Sequence, residues 1–430
     1  MTSLKRLAQM GLFVLPVLSQ GATDSALPVE VQTLIADVMP KVIEWRRDIH
    51  ANPELSNREF RTAGVVAEHL KSLGLEVRTG IAHTGVVGIL KGAKEGSVVG
   101  LRADMDALPV TEEVDLPFAS KVRTQYNGEE VGVAHACGHD AHTAMLMGVA
   151  QVLAELQDQL AGTVMFVFQP AEEGAPAGEE GGAELMLKEG IFSELKPEVM
   201  FGLHVIPMPV GKITVRSQGI LASSDGLHIK VKGKQTHGAM PWNGIDPIVV
   251  SSQIVMALQT IPSRQVDATK TPSVVTIGSI KGGVRGNIIP DEVEMEGTIR
   301  TFDQNIREQL HERIKRTAEN IAASAGATAE VSITQGYPAT INDPALTNKM
   351  TPILQRVAGE GFSEAGPVMA SEDFAFFAQD IPSMYYFIGS APKNQPAYTN
   401  HSPKFVVNED ALPMGVAAMT ALVLDYTQSY

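Results

Sequence analysis

One cysteine, at position 137, is all the thiol chemistry in this 430-residue sequence, and it excludes an intramolecular disulfide. Dense blocks of Lys and Arg are missing too; 49 acidic residues against 34 basic ones give a formal net charge of -15. Such a chain repels nucleic acid and anionic membrane surfaces at long range, and with no basic stripe nothing offsets the repulsion. Past the N-terminal residues, every long apolar stretch is broken by charge, Gly or Pro, so no stable membrane insertion is expected. There is no internal repeat and no low-complexity linker; the Gly/Glu-rich stretch 172–182 is too short to be one. What remains is an ordinary folding composition, 44% hydrophobic and 19% charged, long enough for two or three domains.

The N-terminus has a different texture. Lys5 and Arg6 precede an apolar run from Leu7 to Leu18, and Ser19, Gly21 and Ala22 follow. Charge, apolar core and small residues in that order form the pattern of a secretory signal over residues 1–25, cleaved near 21–26. The run is too short to span a bilayer and holds Pro16. The expected location is therefore periplasmic or secreted, with the cytoplasm as the alternative.

Hydrophobic spacing predicts helices over 29–50, 59–73 and 139–156, and β-rich runs over 75–78, 86–91, 97–103, 163–169 and 199–203. Strands alternating with helices predict an α/β fold with a mainly parallel central sheet covered on both faces. Near residue 213 the pattern changes. A leading segment at 213–217 is followed by strand 226–232, helix 247–261, strands 273–281 and 292–302, helix 304–323 and strand 327–334. That order predicts a smaller α+β unit with a four-stranded antiparallel sheet. Helices at 345–358, 371–379 and 411–427 then restore the α/β texture. The simplest division is one α/β domain, 26–213 plus 333–430, interrupted by an inserted domain at 214–332.

Chemistry-bearing residues recur at the predicted carboxyl ends of strands, where open α/β sheets place their ligands. Ala136-Cys137-Gly138-His139-Asp140-Ala141-His142 opens a helix, and the Gly lets the backbone turn so that thiolate and imidazole can reach one ion. His142 lies one turn beyond His139. Glu172 and Glu173 follow the strongest apolar strand. One of the pair can hold metal while the other takes a proton from water, or both can be a solvated acidic loop. His204 ends another strand, as a ligand or as a core residue. Tyr398 to Pro403 is a polar loop containing His401, and Asp104, ending strand 97–103, can orient a ligating His.

With these motifs in view, the chain resembles the aminoacylase and carboxypeptidase family of di-metal hydrolases. The similar branch holds hippurate hydrolases, auxin-conjugate hydrolases and bacterial N-acyl-amino-acid amidohydrolases. The matching stretches are Arg102 to Pro109, Ala136 to His142, Gln169 to Gly174, Gly202 to His204, Gly233 to Pro241, Asn287 to Pro290, Ser371 to Phe374 and His401 to Phe405. They span roughly residues 40–425.

The resemblance implies a metallopeptidase-like catalytic domain carrying a lid and dimerisation domain. It implies two divalent ions, zinc, manganese, cobalt or nickel, held by Cys137, His139, Glu173, His204 and His401, with Cys137 where other branches have a bridging acid. Glu172 would be the general base and Asp104 a supporting residue behind the ligands. His237 would be a lid His that polarises the scissile carbonyl, delivered in some relatives from a partner subunit. Asn287 would bind the substrate carboxylate or carbonyl oxygen. The implied activity is hydrolysis of an N-acyl amino acid by a homodimer. A dipeptidase or metallocarboxypeptidase is the alternative within enzymes, and an inactive metal-binding protein the alternative outside them.

Overall fold

A computed structural model describes residues 27–393 and 396–428 of the chain. The expected signal segment, 1–25, lies outside the described residues. No described helix is long and apolar enough to cross a membrane.

An eight-stranded sheet forms the larger body. Its order is Glu76–Ile81, Gly85–Lys91, Ala161–Gln169, Lys94–Asp104, Val199–Pro209, Ser383–Ala391, Ile213–Val215 and Phe362–Glu364. The four central strands, from Ala161–Gln169 to Ser383–Ala391, are parallel, and the neighbours on either side, Gly85–Lys91 and Ile213–Val215, run antiparallel to them. Alternation along Ala161–Gln169 explains why both faces are covered. Val164, Phe166 and Phe168 point into one core, under the helices Val29–Ala51, His139–Glu155 and Leu412–Gln428. Met165 and Val167 point into the other, with Ala183, Met186, Phe374 and Phe377.

The strand Ser383–Ala391 is absent from the sequence reading. Met384, Tyr386 and Ile388 face the first core, and Tyr385 and Phe387 the second. Buried on both faces, it shows a continuous apolar run with no alternation to betray it.

The register places the chemistry. Asp104 pairs with Gln169, and Phe387 with His204. The loops after Asp104 and Gln169 and the residue His204 therefore meet at one edge of the parallel strands.

The smaller body is a four-stranded antiparallel sheet in the order Ser273–Gly282, Glu292–Thr301, Asp225–Lys232 and Thr328–Gln335. Leu227, Ile229, Val231, Val293 and Met295 pack against Ile254 of helix Pro247–Leu258 and Leu310 and Ile314 of helix Gln304–Ser324. Asp246 and Asp303 cap those helices by accepting from Ile248 and Ile306 backbone amides at 2.9 Å each, which is worth about 1 kcal/mol per cap. One expectation changes. Ile213–Val215, read as the leading segment of the inserted unit, pairs instead with Ser383–Ala391 in the large sheet. The chain crosses into the smaller body about ten residues later, before Asp225, and leaves it after Gln335.

Candidate metal centre

Gly138 makes the cysteine turn. Its φ is +105°, and a Cβ there would lie 2.4 Å from Val205 Cγ2, so both backbone conformation and space demand glycine. The turn buries Cys137 and His139 side by side at the start of helix His139–Glu155. The His139 Nδ1–H donates to the Asp106 carbonyl at 2.8 Å and lies 3.2 Å from the Asp106 carboxylate. That fixes the tautomer and leaves buried Nε2 with no hydrogen-bond partner. The His204 Nδ1–H donates to the Val205 carbonyl at 2.7 Å, so its Nε2 lone pair faces Cys137 Sγ, 3.3 Å away.

The remaining groups come from two loops. Glu172 and Glu173 follow strand Ala161–Gln169, and Glu173 Oε1 lies 3.1 Å from His401 Nε2. The His401 loop is latched onto the cysteine turn. His401 N donates to the Ala136 carbonyl at 2.8 Å, and Asn400 Nδ2 to the Cys137 carbonyl at 2.9 Å. His401 itself has φ +69°, a conformation that costs an L-residue roughly 1–2 kcal/mol and that this latch maintains.

Among the described residues five groups of three side chains could hold an ion, and two of these triads share the cysteine: Cys137, His139 and His204; and Cys137, Glu173 and His401. Within each, the ligating atoms lie within 4.8 Å of one another, and Cys137 belongs to both. This is the arrangement of a dinuclear site with one shared ligand. The donor chemistry fits: an orphaned imidazole nitrogen, a second aimed at a thiol, and a buried thiol beside the Glu173 and Glu172 carboxylates, whose charge opposes its ionisation until a cation offsets it. Burial opposes a charged His139, yet Asp104 and Asp106 prevail and push its pKa up to about 10. The site thus draws positive charge to the position Nε2 faces, and Cys, His and Glu together suit a borderline ion such as zinc.

Glu172 lies beside both triads in a cavity of about 390 Å³ that Cys137, Glu173, His204 and His401 also line. Burial first, and then the Glu372 and Glu173 carboxylates, raise its pKa well above the ordinary carboxylate value.

The other candidates fall elsewhere. His142 is not available to a metal: Nδ1 bonds Asp104 Oδ1 at 2.6 Å, and Nε2 accepts from Val205 N at 2.9 Å. Asp104 therefore orients His142 and, at 2.6 Å, pairs with Arg102, while its nearer contact to His139 Nε2 is 3.8 Å. The support of His139 comes from Asp106, which the sequence reading missed. Asp106 also accepts from the backbone amides of Glu172 at 3.1 Å and Glu173 at 3.0 Å, and from Ser56 Oγ at 2.8 Å. The signal available was the Asp-Met-Asp pair at the strand end. A second omission is Arg300, on strand Glu292–Thr301. It lines the same cavity and donates to Ser371 Oγ at 3.0 Å.

His237 and Asn287 sit together but outside this cavity. His237 is exposed on a two-residue strand paired with Ile288–Ile289, and the Asn287 carbonyl accepts from Gly238 N at 2.9 Å. A Cβ on Gly238 would lie 3.0 Å from the Asn287 backbone, so glycine permits this approach.

Residues 100–425 match the family described as Peptidase family M20/M25/M40. The chain is 41% identical to thermostable carboxypeptidase 2 of Saccharolobus solfataricus over 397 residues, 91% of this chain and 97% of that protein. It is 36% identical to IAA-amino acid hydrolase ILR1-like 2 of Arabidopsis thaliana over 430 residues, 97% of this chain and 94% of the relative. Among solved structures it resembles the Bacillus subtilis YXEP protein, a dinuclear metal binding peptidase from the M20 family. The TM-score is 0.77 at 34% identity, over 92% of this chain and all of that one.

Proposed function

Because the chain belongs to peptidase family M20/M25/M40 and is a metal-dependent hydrolase of amide substrates, we propose that its reaction is hydrolysis of the amide bond of N-acyl amino acids. The observation that carries this reading is that one cavity is lined by Glu172, by Cys137, Glu173, His204 and His401, and by Arg300. A base beside an amide carbonyl, plus a fixed cation within reach, is what an amide bearing a free α-carboxylate requires.

The two triads would hold two divalent ions, zinc, manganese, cobalt or nickel, which supply Lewis acidity toward the carbonyl and the attacking water. Glu172 takes the proton of that water and returns it to the amine nitrogen as the C–N bond breaks, releasing a carboxylic acid and an amino acid. Cys137 serves as a ligand, and no acyl-enzyme forms. Arg300 holds the carboxylate of the substrate.

The chain acts as a homodimer, with His237 of one protomer donating to the carbonyl oxygen in the cavity of the other and Asn287 beside it. Exposed apolar residues support this. Val274 and Ile280 lie on the edge strand Ser273–Gly282, Val249 and Met256 on helix Pro247–Leu258, and Trp242 and Val284 nearby. Export is supported by the Lys5–Ala22 pattern.

The carboxypeptidase reading draws on the Saccharolobus relative, since a peptide C-terminus presents the same carboxylate to Arg300. A panel of acetyl, benzoyl, indole-acetyl and fatty-acyl amino acids beside dipeptides, on enzyme reloaded with each metal, separates the two. Release from acyl conjugates that vanishes in Glu172→Gln supports the amidohydrolase; turnover of dipeptides alone moves the chain to the peptidases.

A further inference from the structure

The two segments that connect the bodies are bonded to each other. Ser224 N donates to the Tyr337 carbonyl at 2.9 Å, and Tyr337 N donates to Ser224 Oγ at 3.2 Å. Beside them Gly336 N donates to Asp225 at 3.2 Å, and Asp225 also accepts from Arg307 and His311 of helix Gln304–Ser324. These bonds tie the connection between the bodies to the smaller body. From it the half-buried Tyr337 side chain reaches into the other domain. Its hydroxyl donates to the Glu172 carbonyl at 2.7 Å, and its ring meets Phe376 edge-on, centroids 5.9 Å apart. It also lines the cavity shared by Cys137, Glu172, Glu173, His204 and His401.

The Glu172 loop needs outside support, because Ala171 adopts φ +53°, a strained conformation for a residue with a Cβ. Its amides are held from within the larger body. Ala171 N donates to Glu59 at 2.9 Å, and Glu172 N and Glu173 N to the two carboxylate oxygens of Asp106. The Glu172 carbonyl alone is held from the hinge, by Tyr337.

We propose that Tyr337 is a positioning residue that couples the angle of the smaller body to the alignment of Glu172. Its phenol fixes the peptide from which the Glu172 carboxylate projects, so rotation at the Ser224–Tyr337 hinge shifts that peptide. The proposal rests on the reading of Glu172 as the base.

Tyr337→Phe tests it, since the ring and its contact with Phe376 remain while the hydroxyl is lost. On full-length, metal-loaded protein with the best panel substrate, kcat falls about tenfold to a hundredfold and KM stays within about twofold, the scale of a misplaced catalytic group. Metal content and Tm stay at wild-type values. Amide hydrogen exchange over residues 171–174, read without substrate, quickens. Ser224→Ala, which loosens the hinge without touching the cavity, quickens the same amides and lowers kcat by less.

A KM increase at unchanged kcat would instead assign the hydroxyl to substrate binding. A fall in Tm or metal content in step with activity would make the role structural. Wild-type exchange and kcat in both variants would remove the coupling. Should the wild type turn over nothing on the panel, the functional reading fails, and the exchange measurement still decides whether Tyr337 holds the loop.

Discussion

Cys137 Sγ and His204 Nε2 lie 3.3 Å apart, with the His204 lone pair aimed at the sulfur because its other nitrogen is committed to the Val205 carbonyl. A histidine this close to a thiol suggests a nucleophile and its base, yet burial and the neighbouring carboxylates push the thiol pKa up, the reverse of what a nucleophile needs. Cys137 is instead common to both triads. Cys137→Ala should therefore lose both metal positions together. Bound metal, measured by elemental analysis after gel filtration, should fall far below that of wild type. Retention of both ions with loss of activity would favour the nucleophile.

Asp106 gives a graded test. One carboxylate accepts from the Glu172 and Glu173 amides and from Ser56, and braces His139. Asn offers one acceptor oxygen where Asp offers two, and turns a donor toward an amide. Asp106→Asn should lower kcat/KM or metal affinity by about 10–100-fold, the usual cost of removing the partner that orients a ligand. Wild-type metal affinity and turnover in this variant would show that the backbone alone holds the loop.

Much of this was legible in the sequence, and the failures have physical causes. Gly138 between Cys137 and His139 marked a tight turn into a helix, because glycine there reports backbone conformation directly. Helix Gln304–Ser324 shows its amphipathic period, since one side packs and the other is solvated. The strand Ser383–Ala391 was hidden because burial on both faces erases alternation. Asp106 was hidden because its role rests on amides 66 and 67 residues away, a register no local pattern carries. Arg300 was hidden for the same reason, reaching the cavity across the junction between the two bodies.

The buried Asp225 cluster should make stability depend on pH. Burial opposes ionisation of Asp225, but bonds from His311 and Arg307 outweigh it and hold its pKa below the ordinary value. A depressed carboxylate pKa contributes stability that is present above the unfolded value of about 3.9 and lost as pH falls through the folded one. Asp225→Asn removes one partner of a buried pair and should cost about 3–5 kcal/mol near neutral pH. The gap between wild type and variant should narrow as pH falls below about 4. Chemical denaturation at several pH values checks this; a gap that stays constant down to pH 3 would mean that the carboxylate charge contributes nothing.

The position of His237 leads to the most decisive experiment. It is exposed, bonded to its own turn through Ala239 N at 3.0 Å, and absent from the walls of the cavity that Glu172 lines. If it acts in the partner's cavity, two inactive variants should rescue each other. Glu172→Gln and His237→Ala homodimers should each be impaired. A mixed dimer contains one cavity in which an intact Glu172 meets an intact His237 from the other chain. Co-expression with two affinity tags, followed by purification of the mixed species, should recover activity from that single cavity. If His237 served its own chain, every cavity in the mixed dimer would lack one of the two residues, and activity would stay at the level of the homodimers.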